Sequence, residues 1–358
     1  MKIIHPRPNP IVAALYTLRD MNVDVVVIHG PSGCGFMASR ALEQAGVRIV
    51  TTALSDSNLI FGGSDELIKT LKKAYEMFNP KTIAVVGTCA SMIIGEDMGS
   101  SIKRAGLDCI IFPVEVHGCM GSNTEGAIKA LEAGRDAGLL QSDETDRQIN
   151  LMNAAMEMEK ERGLASRSYM KPSSGVTKLT VCKMIRDTLS NEGKVAVVMN
   201  AKKELAYRFS DMFIAMEEAR KTLGGSTFYV ANLNTEIGLP KIREYARNVV
   251  EELEQNGIVM DAVVGGLDEY ALVGDRMKSE VEMFGPDITI ILGICHAYPG
   301  IEKDDILITD QPRQLSNYIN LGFPNSVGEI SSHSMVMGTD TIIPLETADT
   351  LRELVREN

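Results

Sequence analysis

The sequence lacks tryptophan, has few aromatic residues, and contains neither a long apolar run nor a basic cluster. None of the 358 residues is tryptophan, and aromatic residues make up 5% of the chain. No apolar stretch is long enough to span a bilayer. The opening residues MKIIHPRPNP do not have the pattern of a signal peptide. We therefore expect a soluble, intracellular protein of the cytoplasm.

The charge balance is acidic and argues against one class of function. Lysine and arginine total 36 against 48 aspartates and glutamates, a formal net charge of −12. Proteins that bind nucleic acid without sequence preference neutralise phosphates with basic side chains, and no basic patch or arm is present here. The sequence therefore disfavours nucleic-acid binding. Its length suits two or three domains, and its 44% hydrophobic content is enough for ordinary cores.

Six cysteines are present, and they fall into different settings. Disulfides are rare in cytosolic proteins, so the default role of each cysteine is that of a small buried apolar residue. Cys109, in LDCIIFPV, and Cys182, in KLTVCKMIRDTL, fit that role. Cys34, Cys89 and Cys119 lie near glycines at the ends of apolar runs. These three cysteines are therefore the candidates for chemistry.

Short apolar strands alternate with helices from residue 11 onward, which predicts parallel sheets covered on both faces. One such helix, SDELIKTLKKAYEMFNP, has Ser64 as its expected N-cap. Another helix is expected in SMIIGEDMGSSIKRAG. A polar segment rich in Met and Glu interrupts the alternation before it resumes at GKVAVVMN. We predict an α/β protein with tandem Rossmann-like, open parallel-sheet domains. An N-terminal domain would span residues 1–140, a mostly helical connector 141–190, and one or more C-terminal α/β domains 191–358.

The glycine-rich stretch HGPSGCG, residues 29–35, follows the strand-like run DVVVI and has two interpretations. A phosphate-binding P-loop requires a lysine after its last glycine, but Phe36 follows Gly35. The stretch also lacks the G-x-G-x-x-G pattern of dinucleotide sites. The chain therefore has no recognisable ATP or NAD site of its own.

The second interpretation is a metal site built from thiols. Cys34, Cys89 and Cys119 each follow a predicted strand, and the carboxyl ends of parallel strands meet at one edge of a sheet. Glycines beside Cys34 allow close backbone approach, and backbone N–H groups stabilise cluster thiolates. Because no C-x-x-C pair is present, spacing alone also leaves a core or catalytic thiol open.

Three segments resemble, in order and spacing, the signature of the nitrogenase component-one superfamily: HGPSGCG, SDSNLIFGG (residues 55–63) and GTCASMIIGED (residues 87–97). The resemblance implies the fold of that superfamily. It implies that Cys34 and Cys89, with the flanking Gly33 and Gly35, hold a [4Fe–4S] cluster, with Cys119 as a reserve ligand. It also implies a docking segment for an electron-donating partner, although Phe61 could instead be a core residue. That segment comprises Asn58, Leu59, Ile60, Phe61, Gly62 and Gly63.

One departure from the superfamily concerns the cluster ligands. Most relatives that carry a cluster supply a further cysteine upstream of G-C-G, and this sequence has none there. A homodimer supplying Cys34 and Cys89 twice would complete the four thiolates of a shared cluster.

The compact length and the opening HPRPNPIVAAL resemble the minimal, single-gene branch of the superfamily. That resemblance implies a nitrogenase-like reductive cyclase of coenzyme factor 430 biosynthesis in methanogens. It would reduce Ni-sirohydrochlorin a,c-diamide and close its γ-lactam ring. Electrons would come from a separate iron protein, a homodimer with its own [4Fe–4S] cluster and ATP site, and nickel would enter only with the tetrapyrrole substrate.

Such a substrate carries carboxylates and requires protons, which makes some further residues candidates. Glu115, His117 and His296 lie at strand ends and are the candidate catalytic groups, although each has a structural alternative. Other candidates lie near the motifs or the N-terminus: His5, Arg7 and Arg40. Three functions remain as alternatives: a reductase of another tetrapyrrole or small substrate, a metallocluster assembly scaffold, and a non-catalytic α/β binding protein.

Overall fold

The computed structural model describes residues 9–162, 176–270, 274–329 and 336–357. The chain divides into two compact units. The first comprises Met1–Lys160 and Leu239–Lys241, and the second comprises Glu161–Gly238 and Ile242–Asn358. Within these described ranges, no helix is both long and apolar enough to cross a membrane.

The first unit contains an open sheet of four parallel strands in the order β2-β1-β3-β4. Its strands are β1 (Val25–Ile28), β2 (Arg48–Thr51), β3 (Thr82–Val86) and β4 (Ile110–Val114). Its helices are α1 (Pro10–Asp20), α2 (Phe36–Gln44), α3 (Asp56–Phe61), α4 (Ser64–Phe78), α5 (Cys89–Ile93), α6 (Met98–Ala105), α7 (Asn123–Asp136) and α8 (Ser142–Arg162).

Both faces of this sheet are covered, which explains its continuous apolar strands. Val25 and Val27 of β1 pack with Leu67 and Leu71 of α4 in one core cluster. Successive strand residues point to opposite faces, and α1, which is buried along its whole length, packs against β3 and α7. A strand such as Val25–Ile28 is therefore buried on both sides, as in other parallel sheets.

The strand order places a topological switch point between β1 and β3. From β1 the chain passes to β2 on one side, and it then returns to β3 on the other side of β1. Ligands of open α/β sheets bind in the crevice at such a point, outside the carboxyl ends of the strands. Cys34 follows β1 and Cys89 follows β3, so the fold places both cysteines at this crevice.

The second unit contains six parallel strands in the order β10-β9-β8-β5-β6-β7. Its strands are β5 (Lys194–Asn200), β6 (Ser226–Ala231), β7 (Ala262–Val263), β8 (Ile288–Gly293), β9 (Ile306–Thr309) and β10 (Ser326–Gly328). Its helices are α9 (Val176–Ser190), α10 (Ala206–Phe209), α11 (Asp211–Leu223), α12 (Pro240–Gln255), α13 (Gly274–Phe284), α14 (Pro312–Asn320) and α15 (Glu346–Arg356). The first two residues of α12 belong to the first unit. Short 3₁₀ turns span Lys203–Leu205 and Cys295–Ala297. The prediction of open parallel-sheet α/β structure is confirmed in both units.

Two local predictions are corrected. Helix α4 is capped by Gly63 rather than by Ser64, which is the first helical residue. The segment SMIIGEDMGSSIKRAG does not form one helix, because Gly95 has φ +69° and Asp97 caps a new helix through its side chain. Glu96 lies in the turn between α5 and α6, and it contacts His29 and Gly63 at the site described below.

Candidate metal centre

Cys34 lies half-buried in the turn between β1 and α2, and its N–H donates to the carbonyl of Pro31 at 3.0 Å. The next residue, Gly35, has φ +83°, and an added Cβ there would lie 2.5 Å from Cδ1 of Ile28. This position therefore requires glycine. Gly33 has no such requirement, since nothing lies within 4 Å of its Cβ position.

Cys89 is the first residue of α5, and the start of that helix is fixed by reciprocal hydrogen bonds. Thr88 Oγ1 accepts from the N–H of Ser91 at 3.4 Å, and Ser91 Oγ accepts from the N–H of Thr88 at 2.8 Å. Thr88 Oγ1 also donates to the carbonyl of His29 at 2.9 Å. The turns after β1 and β3 are thus joined. Burial, and then the nearby Cys89 thiol, raise the pKa of Cys34.

Cys119, in the turn after β4, is exposed and lies beside Cys89. The two Sγ atoms are 3.9 Å apart, and the Gly118 N–H donates to Cys89 Sγ at 3.1 Å. The hydrogen bond with Cys89 is the main cause that raises the pKa of Cys119. Ligand atoms of Cys89, His117 and Cys119 all lie within 4.8 Å of one another. The structure therefore brings together two of the three predicted thiols and one predicted histidine.

A cleft of about 410 Å³ adjoins this cluster. Glu115, His117 and Lys129 line it, so the structure places two of the three predicted catalytic groups in one cavity. Glu115 is exposed, whereas His117 is half-buried and its Nδ1 atom has no hydrogen-bond partner among the described residues. This cleft can accept a polar group of a ligand beside the cysteines.

The predicted docking segment forms α3 and the turn that follows it. None of the α3 residues is buried, and Gly62, with φ +98°, ends the helix. The side chains of Ile60 and Phe61 are 74% and 87% exposed, whereas Asn58 and Leu59 are half-buried. The alternative of Phe61 as a core residue is therefore wrong. Adjacent exposed apolar side chains are typical of a protein contact surface.

One contact network could not be predicted from the sequence, although His29, Gly63 and Glu96 each lie within one of the three quoted motifs. His29 is fully buried, and its Nε2 lies 3.6 Å from Oε2 of Glu96. Glu96 Oε1 accepts a hydrogen bond from the backbone N–H of Gly63, and His29 Nδ1 lies 3.2 Å from Thr52 Oγ1. Burial lowers the pKa of His29, and Glu96 opposes this in part. The network connects the docking segment to the segments that carry Cys34 and Cys89. The only sequence signal for it was a charged residue, Glu96, beside Gly95 in the third motif.

The remaining predicted residues do not join this cluster. His296 belongs to the second unit, where it is half-buried in the 3₁₀ turn after β8. That turn adjoins the second unit's own switch point, between β5 and β8. Arg40 is exposed on α2. His5 and Arg7 lie outside the described residues.

The donor set fits a soft-metal or iron–sulfur centre. Thiols and imidazole are the side chains that such centres use, and N–H donation to a cysteine sulfur is typical of them. Because burial and neighbouring sulfur raise the pKa values of Cys34 and Cys119, an added cation is what would favour their thiolates.

A family model described as Nitrogenase component 1 type Oxidoreductase matches residues 9–225, more than half of the chain. With its open parallel sheets and its cysteines at a switch point, the chain belongs to this family. The family resemblance of the three motifs is confirmed.

Component CfbD of the Ni-sirohydrochlorin a,c-diamide reductive cyclase complex from Methanothermobacter thermautotrophicus is 41% identical to this chain and aligns over 99% of both chains. The protein of the same name from Methanosarcina acetivorans is 40% identical, over 100% of this chain and 98% of its own. A solved structure titled Nitrogenase Cp1 at pH 6.5 aligns with 98% of this chain and 93% of its own at 13% identity, with a TM-score of 0.33. That last similarity is too weak to support any structural argument.

Proposed function

We propose that this protein is the catalytic component of a Ni-sirohydrochlorin a,c-diamide reductive cyclase on the route to coenzyme factor 430. The observation that carries the proposal is 41% identity to component CfbD over 99% of both chains. An alignment of that extent includes both sheets and all three cysteine-bearing turns. The reaction is a multi-electron reduction of the macrocycle with closure of a γ-lactam from an acetamide side chain.

Cys34 and Cys89 are the proposed ligands of a [4Fe–4S] cluster, and two subunits of a homodimer would supply the four thiolates. Their shared position at the switch point and the Gly118 N–H at 3.1 Å from Cys89 Sγ support this role. The bound cluster would supply electrons to the substrate one at a time. Cys119, beside Cys89, is the reserve ligand.

The proposed electron donor is a separate iron protein, a homodimer that carries its own [4Fe–4S] cluster and hydrolyses ATP. It would dock on the segment Asn58–Gly63, where the exposed side chains of Ile60 and Phe61 support a protein contact. The Glu96 carboxylate, which binds the Gly63 N–H, would hold this surface in a fixed place relative to the cysteine turns.

This chain's own residues would position the substrate and supply protons. Lys129 lines the cleft with Glu115 and His117, so its ammonium could pair with a carboxylate of the tetrapyrrole. His117 and Glu115 are the proposed proton donors in the first unit. His296, next to the second unit's switch point, is the proposed donor there. Nickel would arrive as part of the substrate.

The test is turnover under strict anaerobiosis with the iron protein, ATP and a chemical reductant. We expect the product of Ni-sirohydrochlorin a,c-diamide, identified by mass, to show the added hydrogens and the lactam ring. Cys34→Ser and Cys89→Ser should abolish product formation. Cys109→Ser, at a half-buried position in the core, should not. Turnover only with another tetrapyrrole, or only transfer of the cluster to an acceptor protein, would contradict the proposal.

Docking is tested separately by placing a charge on the exposed apolar surface. Phe61→Asp should raise the KM for the iron protein at least tenfold while iron content stays unchanged. Met283→Asp is the matched control, because Met283 is also exposed, at 76%, but lies on α13 of the second unit. Equal effects of the two substitutions would contradict the assignment of the docking segment.

A further inference from the structure

We propose that Cys89, His117 and Cys119 of a single subunit bind one soft divalent ion of the Zn²⁺ or Fe²⁺ type. Occupation of this site and of the proposed cluster site would be mutually exclusive, because both use Cys89. This three-residue group is called the triad below. It goes beyond the proposed function, since it assigns a mononuclear metal site that a reductive cyclase does not require.

The sulfur–sulfur distance within the triad matches the edge of a site that holds a single tetrahedral ion. The Sγ atoms of Cys89 and Cys119 are 3.9 Å apart, and both cysteines are free thiols. With metal–sulfur bonds of about 2.3 Å, the edge of a tetrahedral site is about 3.8 Å. A ligand nitrogen of His117 completes a set whose members all lie within 4.8 Å of one another. Three donors thus lie close enough together to bind one ion.

The surroundings of the triad also suit a bound cation. The Gly118 N–H donates to Cys89 Sγ at 3.1 Å, which would stabilise the thiolate of a metal-bound cysteine. His117 Nδ1 is buried without a hydrogen-bond partner in the described part of the chain, and a buried unpaired ring nitrogen is costly. Cys119 is exposed, which gives an ion a direct path into the site.

This geometry differs from the ligand set of a [4Fe–4S] cluster. In such a cluster, four cysteines serve four irons, whereas the two triad sulfurs are close enough to share one ion. Cys34 is not one of the three donors within 4.8 Å. Binding would convert two thiols to thiolates and release two protons to solvent, with no change in oxidation state. The fourth coordination position would be taken by water.

The test uses Co²⁺ as a spectroscopic probe on the full-length apoprotein, reduced and kept without oxygen. We expect one Co²⁺ per chain, with thiolate-to-cobalt charge-transfer absorption and the d–d bands of a tetrahedral ion. Cys119→Ser should remove about half of the charge-transfer intensity, since one of two thiolates is lost. Cys119→Ser and His117→Ala should each weaken binding at least tenfold in competition with a chelator.

Two controls separate the triad from other cysteines and from the cluster. Cys34→Ser should leave Co²⁺ binding within about twofold of the unsubstituted protein, and so should Cys109→Ser. Filling the triad with Zn²⁺ should block later reconstitution of an iron–sulfur chromophore, and removing Zn²⁺ by chelation should restore it. Folding of each variant is checked by circular dichroism.

Three results would overturn the inference. The first is octahedral Co²⁺ without charge-transfer bands. The second is binding that resists both triad substitutions or depends on Cys34. The third is simultaneous binding of Zn²⁺ and a full cluster in the same subunit. These outcomes are independent of turnover, so a failed cyclase assay would leave the metal site intact, and loss of the metal site would leave the cyclase proposal intact.

Discussion

Replacing Glu96 by alanine would remove the carboxylate that connects the docking segment to the cysteine-bearing turns. Its side chain is 6% exposed. One oxygen accepts the Gly63 N–H, and the other lies 3.6 Å from His29 Nε2. After the substitution, a buried N–H group would lose its acceptor, and a fully buried histidine would lose its only carboxylate neighbour within 4 Å among the described residues.

The expected loss follows from these two contacts. A hydrogen bond to a charged group contributes about 1.5–3 kcal/mol, and an orphaned buried donor adds to the cost of removing it. Burial lowers the pKa of His29, so the ring is mostly neutral at pH 7 and the ionic part of the contact is small. We therefore expect Glu96→Ala to lower the free energy of unfolding by about 2–3 kcal/mol. Glu96→Gln keeps an acceptor oxygen and should cost about 1 kcal/mol.

Denaturant unfolding measures the loss, and amide hydrogen exchange at Gly63 locates it. Asp65→Ala is the matched control, because Asp65 is also acidic and paired, with Arg104, but its side chain is 93% exposed. Exposed pairs contribute little, so this control should stay close to the unsubstituted protein. If Glu96→Ala destabilised no more than Asp65→Ala, or if exchange at Gly63 were unchanged, the proposed linkage would be refuted.

Three further predictions concern the fold. Gly35→Ala should destabilise by about 1–2 kcal/mol or more, because a left-handed residue gains a Cβ that meets Ile28, whereas Gly33→Ala should be tolerated. Arg352→Ala should lower the free energy of unfolding, measured with denaturant, by about 3 kcal/mol, because the buried Asp211 loses its ion-pair partner. The stability of Arg352→Lys should lie between those of Arg352→Ala and the unsubstituted protein. Burial lowers the pKa of His29, so the folded state favours the neutral ring. The contribution of His29 to the free energy of unfolding is therefore complete above pH about 6.5, and it is lost as the pH falls through the folded-state pKa. His29→Gln should therefore lose less stability than the unsubstituted protein between pH about 7 and about 5.

Each of these three predictions can fail. Equal stability of the Gly33 and Gly35 variants would contradict the steric argument. A loss for Arg352→Ala of the size seen at exposed pairs would contradict the burial of Asp211. An unchanged pH profile for His29→Gln would show that another group causes the acid sensitivity.

Those features of the fold that depend on residues close together in the chain could be predicted from the sequence. Apolar runs of four or five residues, such as VVVI in Val25–Ile28 and VAVVM within Lys194–Asn200, alternate with amphipathic helices, and this pattern is sufficient to predict parallel α/β sheets. Cys34 and Cys89 could be placed at one sheet edge because parallel strands end together. Strand β10 was missed, since its three residues are too few to form a pattern.

Contacts between distant segments were not predictable from one sequence. Glu96 meets His29 across 67 positions, and no periodicity encodes that pairing. The 3.9 Å approach of Cys119 to Cys89 depends on the turns after two different strands. The exposure of Phe61 was open as well, because an aromatic residue before two glycines is compatible with either a core or a contact surface.

The central claim is that Cys34 and Cys89 of two subunits hold one [4Fe–4S] cluster. Iron and acid-labile sulfide per chain, determined after anaerobic reconstitution together with the mass in solution, test it most directly. The account predicts a dimer with about two irons and two sulfides per chain. About four of each per chain would require every subunit to hold its own cluster. That result, or no stable sulfide at all, would contradict the claim.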